Sequence, residues 1–431
     1  MKNIMIFPAG SEIGLEIYNA LKYMKDINII GGTSIMDHSY CVYENLVKDL
    51  PYIFKSERKV FVEKINEAIK KEKIDFIYPA HDMAQYLLLV YRDEIEAEII
   101  SSPIETVELC RDKKKTYIRF QKEDFVPIVY DTVNSIKEYP VFIKPCIGNS
   151  SIGAKIVQTK EELKYELFHN PDIVIMEYLS GKEYTIDCFT SSEGEMQIAE
   201  MRSRERIKAG ISVRSASQIH NPDVERIAQI INQTIKVIGA WFFQLRQDRN
   251  GKLKLLEIAP RVAGTMGLTR NRGINFPYLT LCQFQGMKTT CFMNDYKISV
   301  DRAFFGRYTI DINYNVIYLD FDDTLIANNH VNCYLMMFLY QQINKGKKLV
   351  LLTRHRNKIG ESLEKFKIDS HLFEQIIVID DEKNKSEYIT KKDAIFIDDS
   401  YRERMDVHKK TGISTFDLDM VESLIDWRGL L

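Results

Sequence analysis

Residues 141–153 have the sequence VFIKPCIGNSSIG, in which an apolar run delivers Lys144 and then opens into small residues. The run predicts a β-strand followed by a loop. Glycines let backbone N–H groups converge on an anion, and the hydroxyls of Ser150 and Ser151 add donors. The ammonium group of Lys144 supplies a charge for a phosphate. The segment therefore predicts a phosphate-binding loop, although a hairpin with one solvated lysine explains it equally well, since it matches neither Walker A nor G-x-G-x-x-G.

Two later apolar runs, residues 242–247 and 253–258, flank an Asn-Gly dipeptide that is typical of a tight hairpin turn. Such a hairpin brings Gln244 and Glu257 together at one end. An amide and a carboxylate oxygen there suit Mg²⁺, which takes few protein carboxylates and completes its shell with substrate phosphates. Each acidic residue alone is better explained as a surface group, but the ordered set with Lys144 favours a nucleotide site.

Taken in order, these segments resemble the ATP-grasp superfamily, and the α/β segment before them indicates its carbamoyl-phosphate-synthase-like, carboxylate–amine ligase branch. The resemblance spans roughly residues 1–306. Its matching residues are Asp112, Lys113, Thr116, Lys144, Gly153, Met176, Glu177, Leu179, Gly181, Glu183, Gln244, Glu257 and Arg261. The family usually carries an asparagine two residues after the metal-binding glutamate. Ala259 stands at that position here, which is expected to weaken one of the two usual metal sites without abolishing activity.

The resemblance implies that ATP binds between two α+β subdomains, with Mg²⁺, or Mn²⁺ in its place, as the cofactor. The implied nucleotide contacts are Lys113, Lys144, Ser150, Ser151 and Gly153 for the phosphates, Glu177 and Leu179 for the adenine edge, and Glu183 for the ribose. Gln244 and Glu257 would hold the metal, and Arg261 would brace the transferring phosphoryl group. In the implied reaction a carboxylate attacks the γ-phosphoryl group to form an acyl phosphate, and an amine or another nucleophile then displaces phosphate.

A basic cluster lies in a region where such enzymes often carry a mobile loop; it comprises Arg202, Arg204, Arg206, Lys208 and Arg214. Some of these residues, Arg214 among them, are predicted to bind the phosphates or an acidic substrate. A solvated basic hairpin is the equal alternative. The N-terminal loop at residues 10–14 is expected to help hold the acceptor substrate, with Glu12, His81 and Asp82 as candidate contacts.

Hydrophobic patterning divides the chain into three segments. Predicted strands at residues 3–7, 27–30, 75–78 and 98–101 alternate with helices at 15–24 and 60–71. This alternation predicts a doubly wound, mostly parallel α/β sheet. Strands then follow closely with few helices between them, which predicts an α+β region with an antiparallel sheet, before a third alternating unit begins at Val316. The predicted domains are residues 1–110, 111–306 and 314–431.

Acidic residues mark the strand ends of the third segment. Asp320 and Asp322 end the apolar strand that begins at Val316 and can project to the same side. Unpaired, such carboxylates repel each other, but a divalent cation makes them tolerable. Because ligand sites in open α/β sheets lie at the carboxyl ends of the strands, Thr353 and the Asp398–Asp399 pair are expected beside them. The alternative, that they only cap loops, is weaker for three strands together.

This set resembles the haloacid dehalogenase superfamily of phosphatases, over roughly residues 316–427, with a Rossmann-like sheet. The resemblance implies Asp320 as the nucleophile that forms an aspartyl-phosphate, Asp322 as acid/base and Thr353 as a phosphate donor. Lys385 is the preferred charge-neutralising lysine, with Lys383 as the second choice. The implied magnesium ligands are Asp320, Asp322, Asp398 and Asp399. The short interval before Thr353 leaves no room for a large cap domain.

Composition narrows the class of protein. The 431 residues contain 59 Lys and Arg against 61 Asp and Glu, a net charge of −2 that gives no footprint for nucleic acid. No apolar stretch approaches the roughly 20 residues of a membrane span. Seven scattered cysteines fit reduced thiols in the cytoplasm rather than a disulfide framework.

The sequence as a whole predicts a bifunctional enzyme, an ATP-dependent ligase joined to a magnesium-dependent phosphatase. Its expected partners are small-molecule carboxylate and amine substrates, phosphorylated ones included, with no nucleic acid and no membrane. A homo-oligomer is left open. The alternatives are a nucleotide-binding regulator, which Ala259 motivates, and a phosphotransferase that stops at phosphoryl transfer.

Overall fold

The computed structural model describes residues 1–148, 152–303, 306–380 and 382–428. The chain divides into two units, Met1–Phe304 and Phe305–Leu431. Ser150 and Ser151 of the predicted phosphate loop lie outside the described residues. No helix among the described residues combines the length and the apolar character that a membrane crossing requires.

The N-terminal part of the first unit is a parallel sheet with helices around it. Its strands are β1 (Lys2–Phe7), β2 (Ile27–Gly32), β3 (Asn45–Val47), β4 (Phe76–Pro79) and β5 (Glu98–Ile99), in the order β3-β2-β1-β4-β5. Its helices are α1 (Glu12–Leu21), α2 (Arg58–Glu72), α3 (Asp82–Val90) and α4 (Ile104–Arg111). Residues 4–7 are all buried, as expected of a strand covered on both faces. The predicted parallel sheet is confirmed. Because the ends of β1 and β4 are neighbours, Ser11 lies next to Ala80, and its hydroxyl donates a hydrogen bond to the Ala80 carbonyl at 2.8 Å.

The described residues of the rest of the first unit form three antiparallel sheets, whereas the sequence predicted one. The strands are β6 (Val141–Pro145), β7 (Lys155–Val157), β8 (Ile173–Glu177), β9 (Glu183–Thr190), β10 (Met196–Ser203), β11 (Arg206–Lys208), β12 (Ile211–Ala216), β13 (Gly239–Gln247), β14 (Leu253–Ala259) and β15 (Ser299–Asp301). They form sheets ordered β7-β6-β8, β10-β9-β13-β14 and β11-β12-β15.

Helices pack among these sheets, so the prediction of few helices was wrong. They are α5 (Lys113–Arg119), α6 (Lys160–His169), α7 (Pro222–Thr234), α8 (Gly267–Arg270) and α9 (Phe276–Phe284). In α7 the buried side chains of Val224, Ile227 and Ile231 recur every three or four residues, the spacing of one helix face. That periodicity was present in the sequence, but it lies among charged residues that lower the overall hydrophobicity of the segment.

The second unit is built on a parallel sheet ordered β20-β19-β16-β21-β22. The strands of this unit are β16 (Val316–Leu319), β17 (Ile326–Ala327), β18 (His330–Val331), β19 (Lys348–Thr353), β20 (Gln375–Val378), β21 (Ala394–Ile397) and β22 (Ser414–Phe416), of which β17 and β18 form a separate hairpin. The helices α10 (Cys333–Asn344), α11 (Ile359–Lys365) and α12 (Tyr401–Thr411) connect them. Because β16 lies between β19 and β21, the residues that follow these three strands meet at one edge. Between β16 and α10 lies only the short β17–β18 hairpin.

Candidate functional sites

One row of side chains crosses the four-stranded sheet of the first unit. Arg202 of β10 lies opposite Thr185 of β9, Thr185 opposite Gln244 of β13, and Gln244 opposite Glu257 of β14. Residues directly opposed in antiparallel strands project to the same face. The predicted pair of Gln244 and Glu257 is therefore brought together, and we call these four residues the central row.

A charged row flanks the central row on one side. Glu183, two residues before Thr185 on β9, lies opposite Arg246. The Glu183 carboxylate is 2.6 Å from Arg204 Nε and 3.6 Å from Arg246 Nη1. The carboxylate predicted to bind ribose is thus held between two guanidinium groups.

On the other side of the central row, Asp187 binds Arg202. The Nε and Nη2 atoms of Arg202 donate to the Asp187 carboxylate at 2.9 and 3.1 Å. The hydroxyl of Thr269 donates to the same carboxylate at 2.8 Å. Asp187 and Arg202 are both buried, so this ion pair fixes the direction of the Arg202 side chain.

Two cavities meet at the central row. The smaller, about 320 Å³, is lined by residues that include Lys144, Glu177, Leu179 and Glu183. The larger, about 470 Å³, is lined by residues that include Glu12, His81, Asp82, Arg202, Arg261 and Arg302. Both share Lys113, Gly148, Arg204, Gly210, Gln244 and Glu257. The candidate metal pair therefore lies where the two cavities join.

Lys144 lies buried at the floor of the smaller cavity. Its ammonium donates to the hydroxyl of Tyr117 at 2.7 Å and to the carbonyl of Leu256 at 2.8 Å. Burial, opposed by the charge of Glu257 and assisted by that of Lys113, lowers the pKa of Lys144 to about 7. Lys113 donates to the Gly148 carbonyl at 2.8 Å and lines both cavities, whereas Lys144 lines only the smaller one.

The other predicted nucleotide contacts are placed in different ways. Leu179 is buried in the wall of the smaller cavity. The Glu177 carboxylate accepts a hydrogen bond from the backbone N–H of Ile128 at 2.8 Å, so its side chain holds the segment that runs along the edge of β8. Gly153 has φ +75°, and a Cβ there would lie 3.0 Å from Pro145, which explains the glycine without a ligand.

The structure separates the predicted basic cluster into inner and outer members. Arg202 and Arg204 line the cavities. Arg214 is exposed and pairs with Glu205 at 3.0 Å and with Asp301 at 3.1 Å, away from the central row. Arg206 also pairs with Asp301, at 2.6 Å. Since Arg214 is held in the β11-β12-β15 sheet, its predicted contact with the nucleotide finds no geometric support.

Arg261 and Asp82, which the sequence placed in separate roles, bind each other. Arg261 Nη2 donates to Asp82 Oδ2 at 2.9 Å in the wall of the larger cavity. Burial alone would raise the pKa of Asp82, but Arg261 outweighs it and lowers the pKa to about 2, so the pair stays ionised. Burial lowers the pKa of the neighbouring His81. Ala259 lies buried beside them and presents no side-chain oxygen.

The residues of this site that were not singled out from the sequence include Tyr117, Thr185, Asp187, Arg246 and Arg302. Thr185 and Asp187 belong to the sheet face described above, and Arg302 lines the larger cavity with its Nη1 3.4 Å from the Glu12 carboxylate. Their placement depends on which strands pair. The only available signal was the alternation of polar residues at 183, 185 and 187 in an otherwise apolar strand.

A second cluster lies at the carboxyl edge of the sheet in the second unit. Asp320, Asp398 and Asp399 each offer an oxygen, and these oxygens all lie within 4.8 Å of one another. Lys385 Nζ is 2.9 Å from Asp320 and 2.6 Å from Asp398, so Lys385 rather than Lys383 makes these contacts. Burial raises the pKa of Asp398 to about 6, against the attraction of Lys385.

Asp322 lies apart from this group. Its carboxylate is 2.9 Å from His355 Nδ1, and His355 Nε2 is 2.7 Å from the Ser362 hydroxyl. The structure therefore groups three of the four predicted metal carboxylates and turns that of Asp322 to a histidine that the sequence analysis did not select. Thr353 is buried at the same edge, and its hydroxyl accepts the backbone N–H of His355 at 3.2 Å.

Comparisons with known proteins agree with the architecture of the first unit. A family model described as "ATP-grasp in the biosynthetic pathway with Ter operon" matches residues 169–302. A D-alanine–D-alanine ligase of Thermotoga petrophila is 32% identical over 109 residues. That alignment covers 23% of this chain and 36% of the ligase, so the chain spans little more than a third of this curated relative.

Solved structures share the fold at low sequence identity. The biotin carboxylase domain of the 2-oxoglutarate carboxylase from Hydrogenobacter thermophilus gives a TM-score of 0.56 at 15% identity, over 68% of this chain and 71% of that chain. An L-amino acid ligase from Bacillus licheniformis gives 0.51 at 18% identity, over 65% and 73% of the respective chains. Together with the family match, these likenesses show a mixed α/β ATP-grasp fold.

Proposed function

We propose that the first unit is an ATP-dependent carboxylate ligase. The observation that carries this proposal is the position of Gln244 and Glu257 at the junction of two cavities that share one sheet face. The smaller cavity, about 320 Å³, is lined by two lysines and is assigned to the nucleotide, and the larger, about 470 Å³, to the acid and the nucleophile. The ligases among the similar proteins, for D-alanine and for L-amino acids, favour an amine as the second substrate.

The donor set at the junction fits Mg²⁺. Gln244 and Glu257 present hard oxygen ligands side by side, and the structure gives the Glu257 carboxylate no hydrogen bond within the described residues. These two residues would hold the ion, with Ala259 leaving a smaller ligand set than the family usually has. When bound, Mg²⁺ neutralises charge on the phosphates.

Residues of the chain bind the phosphates and the acid. Lys144 and Lys113 place positive charge where the phosphates enter, and Lys144 is fixed there by Tyr117 and Leu256. The Arg261–Asp82 pair stays ionised in the opposite wall and faces the acid. A carboxylate oxygen attacks the γ-phosphorus and ADP leaves. The amine then attacks the acyl carbon, phosphate leaves, and a proton is released from the nitrogen.

A substrate screen tests the proposal. The full chain is given Mg²⁺, ATP and single amino acids or small acids, phosphorylated ones included, and the release of ADP and phosphate is measured with mass spectrometry of the products. Release of both with a coupled product supports ligation. ATP binding without ADP release across the panel indicates the nucleotide-binding regulator. ADP release with a stable phosphorylated acid, even when amines are present, indicates the phosphotransferase.

Replacing Lys144 with methionine is expected to lower kcat/KM for ATP by about 10- to 100-fold, the usual value of a charge-assisted contact. The wild-type protein should also lose ATP affinity as the pH rises above 7. Above pH 7 the Lys144 side chain of the protein without ATP is mostly the neutral amine. A bound phosphate requires the ammonium form, so ATP binding takes up a proton. The loss is at most about tenfold per pH unit for one linked proton. Calorimetry in buffers of different ionisation enthalpy measures the uptake, which the variant should lack.

The exposed Lys164 provides the matched control for this change. Lys164→Met should leave both the affinity for ATP and the proton uptake unchanged. Equal pH dependence in wild type and Lys144→Met would show that another group titrates on binding.

For the second unit we propose a magnesium-dependent phosphatase of the haloacid dehalogenase type. The cluster of Asp320, Asp398 and Asp399 beside Lys385 supports it, because three crowded carboxylates, two of them buried, with one lysine fit a divalent cation. Asp320 attacks the phosphorus, and Asp322, held by His355, gives its proton to the leaving alkoxide. Water then hydrolyses the aspartyl-phosphate. Hydrolysis of phosphate monoesters that EDTA abolishes and added Mg²⁺ restores would support this activity.

A further inference from the structure

Two neighbouring atoms of the central row are buried and make no hydrogen bond within the described residues: Arg202 Nη1 and Thr185 Oγ1. Arg202 is 1% exposed and Thr185 is fully buried. They lie directly opposite each other on β10 and β9 and project to the same face, beside Gln244. Arg202 lines the larger cavity, whereas Thr185 lines neither cavity, so the unpartnered Arg202 Nη1 indicates a site that is completed by something other than the chain.

The chemistry of these donors indicates what completes the site. Arginine does not lose its proton in proteins, so its Nη1 remains a charged donor that must find an acceptor. Leaving such a group unpaired is costly, and buried polar groups in native proteins are nearly always hydrogen-bonded. An anionic oxygen is a stronger acceptor for a cationic donor than a neutral one. A carboxylate or phosphate oxygen therefore suits Arg202 better than an amide or a hydroxyl.

The position of Arg202 sets the site apart from the nucleotide. Asp187, which holds two nitrogens of Arg202, lies two residues from Thr185 on the side opposite Glu183. Arg202 is thus drawn away from the smaller cavity, and it lines only the larger one. Arg302 lines the same cavity, and its contacts with the Glu12 carboxylate and the Ser212 carbonyl are long, 3.4 Å each, which leaves it able to approach an anion.

We propose that the acid activated at the junction carries a second anionic group, a carboxylate or a phosphate, and that Arg202 Nη1 binds this group. The reacting carboxylate then faces Gln244 and Glu257, and the second group lies on the far side of the larger cavity. This substrate class rests on the proposed ligase function. It selects doubly charged acids over simple ones of the same length.

Binding measurements on the full chain test the substrate class. With Mg²⁺ and a non-hydrolysable ATP analogue present, calorimetry compares butyrate, succinamate, succinate and 3-phosphonopropionate, which share a similar length. The doubly charged acids are expected to bind about tenfold or more tightly than butyrate and succinamate, the scale of a charge-assisted contact. A preference for succinate identifies a carboxylate as the second group, and a preference for 3-phosphonopropionate a phosphate.

Arg202→Lys keeps a positive charge and removes Nη1. It should weaken the doubly charged acids by about tenfold and leave butyrate within about twofold. Arg226→Lys is the matched control, because Arg226 is exposed and pairs with Asp124 outside both cavities. Unchanged binding of the ATP analogue shows that the Arg202→Lys protein is folded.

The outcomes separate the substrate class from the ligase function. Equal affinity for all four acids, or no effect of Arg202→Lys, overturns the subsite. If that result comes with ADP release from simple acids, the ligase stands without the subsite. If no acid gives ADP release while the doubly charged acids bind selectively through Arg202, the subsite stands and the ligase function fails.

Discussion

Replacing Asp320 with asparagine is expected to lower phosphomonoester hydrolysis by about 1000-fold or more, the scale on which loss of a nucleophile acts. An amide cannot form the acyl phosphate with the phosphoryl group. The change is nearly isosteric, but it also removes one of the two carboxylates that lie against Lys385 Nζ, at 2.9 Å. Asp398 still holds the lysine at 2.6 Å, so the fold of the second unit should persist. Release of phosphate from monoesters in the presence of Mg²⁺ measures the loss.

The control for this change is Asp311→Asn, an exposed aspartate of the same unit. It should hydrolyse monoesters at the wild-type rate, and both variants should retain any ATP-dependent turnover of the first unit. Acid quenching of the wild-type protein should yield a phosphorylated peptide that contains residue 320. Hydrolysis that survives in Asp320→Asn would assign the nucleophile to another group.

The elements that are defined locally could be predicted from the sequence. Gln244 and Glu257 stand at equal distances from the Asn-Gly turn, and the structure pairs them directly before the register shifts by one residue at Leu245. The grouping of the residues that follow β16, β19 and β21 was also predictable. These strands lie side by side, so their carboxyl ends meet at one edge of the sheet. Lys385 was preferred from its place before the last strand, and it contacts two carboxylates of the cluster.

The side-chain contacts that depend on pairing between distant strands could not be predicted. Arg214 and Arg202 belong to one basic stretch, yet the former pairs with Asp301, far along the chain, and the latter is buried against Asp187. Nothing local distinguishes the two arginines. The same holds for His355, which meets Asp322 only because β19 lies beside β16. Charge density in a sequence thus indicates a functional region, whereas strand pairing decides which members of the cluster reach the cavity.

Replacing Glu257 with glutamine is expected to lower kcat/KM for ATP-dependent ligation by about 100- to 1000-fold, the several kcal/mol that metal ligation supplies. Two effects act in the same direction. The amide is a weaker ligand for Mg²⁺ beside Gln244, and Ala259 offers no side-chain oxygen to replace it. Glu257 also opposes the burial that lowers the pKa of Lys144, so its neutralisation lowers that pKa further and leaves less ammonium for the phosphates.

These two effects can be separated, and the result bears on both units. Raising the Mg²⁺ concentration should restore part of the activity of Glu257→Gln, whereas lowering the pH below 7 should restore the part that depends on Lys144. Glu161→Gln, an exposed change in the same unit, should behave as wild type. Phosphatase activity should be unaffected by Glu257→Gln, just as ligation should be unaffected by Asp320→Asn. If each change abolished both activities, the proposal of two independent sites would be wrong.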